Sequence, residues 1–562
     1  MRTAAHAINR RCKDNMGPSR EEMISKLKSK GYDVLVIGGG ITGTCVARDA
    51  ALRGFTTACV DKNDWAFGTS SRSSKMIHGG MRYLEMFEFH LVFEACRERR
   101  QLLLNAPHLV YPQAFTFPIY KGDKNGIFMI GIGLWLYDIM ALFRNVENHK
   151  MYLGKKALEL EEGLDEERLK AIGVFYDCST DDGRLTLAFA LSAIDAGADC
   201  ANYVEVIELL KSGDRVCGAR VRDVLTGEEF EVESRVVLNA AGAWDDVVCD
   251  LDEPGAPSKL QLTKGAHLLV PRDRARTKYA LPIVSPTDKR MMFVVPRGHF
   301  TLIGTTDTYY HEDLDNPFTT REDAEYMLEA ANHGLPRAHL DMGDIVSTYA
   351  GLRPLAMTEG GEDVAESKVS REHRIYQSRS GLITIAGGKL TTARSMAEEM
   401  VDMAARMLLK EFRIKAKGPC KTMNNPIIGT PEPGTEARVR ALAAQVKFDD
   451  DVLFGLLKQG SYALDVLSLV DEDGTLADRL SPDIPYIKAQ VRFAVEGEMA
   501  KTLDDFMVRR TEIFYYAPDQ GLSAAPDVAN MMGDLLGWDK AEGKRQVDEY
   551  KKTVELSRLY AR

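Results

Sequence analysis

Tyr32-Asp33-Val34-Leu35-Val36-Ile37-Gly38-Gly39-Gly40-Ile41-Thr42-Gly43 is the stretch that decides how the chain is read. Its first half is a short apolar, β-branched run of the kind that forms a buried parallel strand. Glycines then stand at Gly38-x-Gly40-x-x-Gly43, and a helical pattern runs from Thr44 to Arg53. Each glycine has its own task. Gly38 turns the chain sharply, Gly40 lets backbone approach a pyrophosphate, and Gly43 lets the helix pack close to the strand. The helix N-terminus then offers free N–H groups and the positive end of its dipole to a phosphate. A second apolar run, Thr56–Val60, ends at Asp61, about twenty residues past the loop, where a carboxylate suits a ribose hydroxyl pair. Strand, glycine turn, helix, strand and acid make a dinucleotide-binding βαβ unit and set the expected class as α/β.

Around this unit, 562 residues exceed what one hydrophobic core organises, so two or three domains are expected. The pattern divides into an N-terminal arm (1–30), a two-part region built on the βαβ unit (31–414), a Pro/Gly/Asn-rich linker (415–434) and a helical domain (435–562). Within the region, 31–85, 160–250 and 375–410 suit the nucleotide domain. Residues 86–159 and 251–374 suit a sheet-based substrate domain with one helix around 321–334. The content, 45% hydrophobic and 28% charged, is that of an ordinary globular protein, and the net charge of −11 argues against a nucleic-acid surface. Nine cysteines form no CxxC pair and no Cys/His cluster, so reduced thiols and no metal are expected.

The first twenty residues lack the continuous apolar core of a secretory signal. Arginine-rich and poor in acids, they read first as a frayed arm and second as a mitochondrial presequence. Lys26, Lys28 and Lys30 extend the basic character, which an anionic lipid surface would attract. The most apolar window, Ile127–Phe143, is shorter than the roughly 20 residues a spanning helix needs. It reads first as a buried helix. The second reading is a helix in a lipid interface, with Trp135 and Tyr137 as interfacial rings.

Two later segments select FAD over NAD. Val236–Trp244 (VVLNAAGAW) is a buried strand breaking into small residues at Ala241 and Gly242, similar to a segment of two-dinucleotide-fold flavoproteins. Ile385–Thr392 (IAGGKLTT) is a late strand-to-helix turn whose Gly388, Lys389, Leu390 and Thr391 suit the pyrimidine edge of a flavin, where reduction deposits negative charge. No His or Cys motif for flavin attachment is present, so the FAD is expected to be non-covalent.

Thr69–Glu85 (TSSRSSKMIHGGMRYLE) resembles the signature block of the FAD-dependent glycerol-3-phosphate dehydrogenases. The same family pattern recurs at Lys264–His267 (KGAH), Ile303–Asp307 (IGTTD), Gly351–Leu355 (GLRPL) and Gly387–Thr392. It continues at Glu498–Asp505 and Arg509–Thr511, so the likeness runs from about Tyr32 to Tyr550. Met81, where the family usually has Leu or Val, is a roughly volume-conserving departure. The resemblance implies an FAD-binding Rossmann-like fold with a substrate domain and a helical C-terminal domain. It implies oxidation of sn-glycerol 3-phosphate to dihydroxyacetone phosphate, with hydride passing from C2 to FAD N5 and a membrane quinone reoxidising the flavin.

It implies site residues as well. Thr69, Ser70 and Ser71 join the glycines and Asp61 at the cofactor. Arg82, Tyr83, Arg353 and Lys389 hold the substrate, a dianionic phosphate needing two or three cations and the bidentate fork of arginine. His78 is the first choice for the base that takes the hydroxyl proton and His267 the second, with little between them. Arg353 is counted with the catalytic group. The implied setting is peripheral attachment to the inner face of the cell membrane, or alternatively the mitochondrial inner membrane. A homodimer is left open. Rival readings are an oxygen-using glycerol-3-phosphate oxidase and, further off, an amine or amino-acid oxidase on the same fold.

Overall fold

The computed structural model describes residues 17–84, 86–123, 125–357 and 372–562, apart from the side chain of Arg82. Tyr32–Ile37 is a strand, hydrogen-bonded in parallel to Thr57–Val60 on one side and Glu229–Asn239 on the other. Six of the sheet's eight strands run in the order Arg374–Gln377, Ile383–Ala386, Glu229–Asn239, Tyr32–Ile37, Thr57–Val60, Asp199–Ala201, and the other two join through Glu229–Asn239. Side chains alternate between its two faces. Val34 and Val36 pack with helices Ile41–Leu52, Asp182–Asp195 and Ala393–Met407. Leu35 and Ile37 pack with helix Arg20–Ser29 and the meander Val204–Ser212/Arg215–Asp223. Burial on both faces is why the strand is continuously apolar.

Helix Arg20–Ser29 corrects the frayed-arm expectation for the described end of the arm. Met23, Ile24 and Leu27 are buried, and Arg20 pairs with Asp223 at 2.8 Å, Lys28 with Glu228 at 2.7 Å and Lys30 with Asp199 at 2.7 Å. Those charges brace the nucleotide domain, which is a different task from lipid attraction. Residues 1–16, with Arg2, Arg10, Arg11 and Lys13, lie outside the described residues.

The substrate side is a six-stranded sheet centred on Leu260–Pro271, flanked antiparallel by Phe300–Gly304 and Ser347–Ala356. Helix Arg321–Gly334 packs behind it, opened by a Thr320/Asp323 capping box. A further four-stranded sheet joins Met76–Ile77, Val110–Tyr120, Lys150–Leu153 and Leu169–Thr180. Leu169–Thr180 therefore leaves the nucleotide domain to which the sequence reading gave it. The C-terminal region is helical except for a hairpin, Arg479–Ser481 with Ile484–Ile487, which helical periodicity missed.

Buried ion pairs seat that region on the nucleotide domain. Asp64 accepts from Arg510 at 2.6 Å and Arg509 at 2.8 Å, and Arg184 meets Glu498 at 2.7 Å. Burial would raise the Asp64 carboxyl, but Arg510 and Arg509 hold it down at about 2. The Glu498–Asp505 and Arg509–Thr511 motifs are thus interdomain anchors.

Ile127–Met140 is a helix, but the buried reading is overturned. Phe128 is 81% exposed, Trp135 57% and Met129 56%, and only Leu134, Tyr137 and Asp138 are buried. Exposed Phe87, Phe89, Leu142 and Phe143 add to the apolar surface, with Phe87 and Phe89 in edge contact and Trp135 edge-on to Phe143. Tyr137 is no interfacial ring. Its hydroxyl donates to Asp177 at 2.6 Å and accepts from the Gly79 amide at 3.0 Å, beneath the His78–Gly80 turn. Asp138 bonds His149 and Asn145, tying down the chain that follows the helix. Among the described residues no helix is long and apolar enough to cross a membrane.

Candidate active site

The carboxyl ends of the parallel strands open onto a cavity of about 270 Å³ lined by Gly38, Gly40, Asp61, Thr69, Ser70, Ala241, Gly242, Gly388, Lys389 and Leu390, among others. Its floor is a cradle that side chains would fill. Gly38 has φ +112°, and a Cβ there would lie 2.4 Å from the Ala240 carbonyl oxygen. A Cβ on Gly43 would lie 1.9 Å from the Gly38 oxygen. Asp61 accepts the Gly39 amide at 2.6 Å and the Asn63 amide at 2.8 Å, which locks the loop, while burial pushes its carboxyl up to about 6. Ser70 Oγ accepts the Ile41 amide at 2.9 Å. Ser71 does not line this cavity. It is buried, and its carbonyl accepts the hydroxyl of Tyr515.

A second cavity, about 980 Å³, shares Thr69, Ser73, Pro354, Gly388, Lys389 and Leu390 with the first. Sheet register builds its polar end. His267 lies opposite Tyr349 on one neighbouring strand and Gly304 on the other, and Arg353 lies opposite Thr263. With period-2 alternation, His267, Tyr349 and Arg353 share one face. Gly351 and Gly265 pair between them, and a Cβ on Gly265 would lie 2.5 Å from the Arg353 guanidinium. Arg353 donates to Asp307 at 3.0 Å, Thr305 at 2.6 Å and the Thr306 carbonyl at 3.1 Å, and Arg290 also pairs with Asp307. Lys389 Nζ stands 4.0 Å from the Tyr83 ring centroid, a cation–π contact. The opposite wall is apolar: Phe87, Phe117, Met129, Ile132, Gly133 and Leu136.

Both histidines face this second cavity, in different states. His78 Nδ1 accepts the Gly80 amide at 3.1 Å, and its own amide donates to Thr391 Oγ1 at 3.2 Å. His267 is 3% exposed, with Nε2 2.9 Å from Ser74 Oγ and its ring stacked 4.6 Å from Tyr349. Burial, then Arg353 and Lys75, pull His267 well below the usual imidazole range, so it is neutral at physiological pH.

Residues 33–403 match the family model for FAD dependent oxidoreductases, and residues 420–543 match the model for the C-terminal domain of alpha-glycerophosphate oxidase. The aerobic glycerol-3-phosphate dehydrogenase of Bacillus subtilis (strain 168) is 37% identical over 543 residues, 95% of this chain and 97% of its own. The chain belongs to the FAD-dependent glycerol-3-phosphate dehydrogenases. A glycerol-3-phosphate dehydrogenase of Synechocystis is 37% identical over 553 residues, covering 94% of this chain and 97% of its own. The solved structure of the Bacillus halodurans glycerol-3-phosphate dehydrogenase complexed with FAD superposes with a TM-score of 0.79 at 32% identity, covering 96% and 97% of the two chains.

FAD is the cofactor of this dehydrogenase family, and the residues present fit it. The glycine cradle, the acid at the strand end and a cavity running on to the Gly388–Leu390 turn suit an extended dinucleotide whose ring system ends where the two cavities meet. Of the residues named from sequence, Tyr83, His78, His267, Arg353, Lys389 and Thr391 all face the second cavity. The side chain of Arg82 lies outside the described residues. Arg290, Asp307, Ser74 and Tyr349 were missed as site residues. Asp307 and Ser74 sat inside quoted motifs without a role. Arg290 follows Asp288-Lys289 and reads as a polar turn, so no local signal marks it.

Proposed function

We propose that this dehydrogenase oxidises sn-glycerol 3-phosphate to dihydroxyacetone phosphate and returns its electrons to a membrane quinone. The observation that carries the reading is that Arg290, Arg353 and Lys389 line the second cavity together with a neutral His267, with Lys389 on the turn it shares with the first. Among the described residues, Arg72, Arg290, Arg353 and Lys389 line this cavity with the carboxylates of Asp307 and Asp177, an excess of cations that suits a phosphate dianion. Asp177, on the same wall, is already paired with Arg99.

Tautomer logic separates the histidines. While His78 Nδ1 accepts a backbone N–H, a neutral His78 carries its proton on Nε2 and is a donor. It suits holding an oxygen in place. With its proton on Nδ1, a neutral His267 presents Nε2 to Ser74 Oγ as an acceptor and suits the base. Bound FAD supplies the hydride acceptor. Arg353, aimed by Asp307 and Thr305, and Lys389, on the turn shared by both cavities, hold the phosphate and orient C2.

For the acceptor, the support is the apolar wall of the same cavity. It is formed by the helix that exposes Phe128, Met129 and Trp135, so a lipid-borne quinone would enter without crossing a polar surface. Anaerobic bleaching tests the reading. sn-Glycerol 3-phosphate should bleach the flavin, and glycerol, glycine and sarcosine should not. Quinone-bearing liposomes should then accelerate turnover. Fast turnover with oxygen, stoichiometric peroxide and no gain from liposomes would replace the quinone reading with the oxidase.

A further inference from the structure

His267 is poorly placed to meet a substrate by itself. Its ring is clamped between register partners, Tyr349 stacked on one side at an interplanar angle of 14° and Gly304 on the other, where a Cβ would lie 2.7 Å from His267 Cδ2. Nδ1 is sealed from solvent. Ser74 is different: half-buried, on the cavity wall, with Oγ 2.9 Å from His267 Nε2. Its neighbours hold it there. Ser73 bonds Asp182 through its amide at 3.0 Å and its hydroxyl at 2.7 Å, Lys75 pairs with Asp182, and the Tyr349 hydroxyl donates to the Ser73 carbonyl at 2.8 Å. The hydroxyl is thus the exposed end of a rigid Ser–His couple.

We infer that Ser74 is a proton relay: the substrate C2 hydroxyl gives its proton to Ser74 Oγ while the Ser74 hydroxyl gives its own to His267 Nε2. The inference rests on the reading of the site as a glycerol-3-phosphate oxidising centre. The balance closes. The electron pair of the C2–H bond leaves as hydride for FAD, the pair of the O–H bond becomes the second C–O bond, and His267 becomes an imidazolium with protons on both nitrogens. Arg353 and Lys75 stand near enough to disfavour that cation, so His267 sheds its proton readily afterwards. Ser74 starts and ends the step as a neutral hydroxyl, which spares the cavity a buried alkoxide.

The test uses the FAD-loaded full chain, mixed anaerobically with saturating sn-glycerol 3-phosphate while the flavin bleaches. Ser74→Ala should bind FAD and substrate as the parent does and bleach about a hundredfold more slowly, the lower end of what positioned proton transfer contributes. Ser74→Thr, which keeps the hydroxyl, should stay within about threefold of the parent. In mixed H2O/D2O the parent rate should curve with deuterium fraction, because two protons move together, and Ser74→Ala should give a straight line. A straight line in the parent, unslowed bleaching in Ser74→Ala, or equal slowing in the Ala and Thr variants would overturn the relay. No bleaching in the parent would instead overturn the substrate reading on which it rests.

Discussion

The Gly38–Gly43 loop offers a phosphate backbone N–H groups and a helix N-terminus, whereas Arg290, Arg353 and Lys389 offer it side-chain charge. The loop works by what it lacks. At Gly38 and Gly43 the packing is backbone against backbone, and any Cβ there meets a main-chain atom that cannot move aside. The cationic end works by what distant strands bring. Arg353 needs the register that sets Gly265 beside it, and both arginines need Asp307 to aim them. One phosphate site is therefore set by six consecutive residues, held by Asp61 and Ser70, and tolerates no added volume at Gly38 or Gly43. The other is set by tertiary pairing and tolerates graded loss.

The contrast can be broken most forcefully at Gly43. Gly43→Ala puts a methyl 1.9 Å from the Gly38 oxygen, so the helix must lift from the strand and the purified chain should be nearly colourless. Flavin-to-protein absorbance checks this, and a fully yellow variant would show that the helix has room to shift.

Arg353→Ala should keep FAD and the fold but lose on the order of 2–5 kcal/mol of transition-state binding. The loss in kcat/KM should be large for sn-glycerol 3-phosphate and small for phosphate-free glycerol. Equal fractional losses on the two would remove Arg353 from the phosphate.

The histidines sharpen the comparison through pH. Since His267 is held well below its ordinary value, flavin reduction at saturating substrate should stay level as pH falls through about 6.5 and decline only further down. A decline centred near 6.5 would point to an unperturbed group as the base. The sign for stability agrees. The unfolded chain takes up the His267 proton near 6.5 and the folded chain only at lower pH, so this group's contribution is present above that value and lost as pH drops.

The smallest effect on chemistry is expected at the apolar wall. Trp135→Ala should reduce co-sedimentation with quinone-bearing liposomes severalfold while leaving anaerobic bleaching by soluble substrate unchanged. Slowed bleaching would mean that the helix shapes the substrate end too.

Legibility followed the same divide. The βαβ unit was readable because strand, glycine loop, helix and Asp61 lie within about thirty residues and each is required locally. The late Gly387–Thr392 turn was readable for the same reason. Arg290 was not, because a polar turn before a strand looks the same whether or not it borders a cavity. The helix Ile127–Met140 misled for a physical reason: apolar content reports a preference to leave water, and core and membrane surface both satisfy it. Lys26, Lys28 and Lys30 gave no warning that the far chain supplies their carboxylates.

By itself, then, the sequence determined the cofactor class and the nucleotide fold, since glycine spacing and strand periodicity are constraints within one short segment. The family signature added the substrate's charged contacts as candidates. Only the tertiary structure decided that Asp307 joins Arg290 to Arg353, that the His267 ring is clamped beside Ser74, and that His78 Nδ1 accepts the Gly80 amide. Register and burial decide those roles, and both depend on which strands lie side by side, a matter of long-range packing that no short stretch encodes.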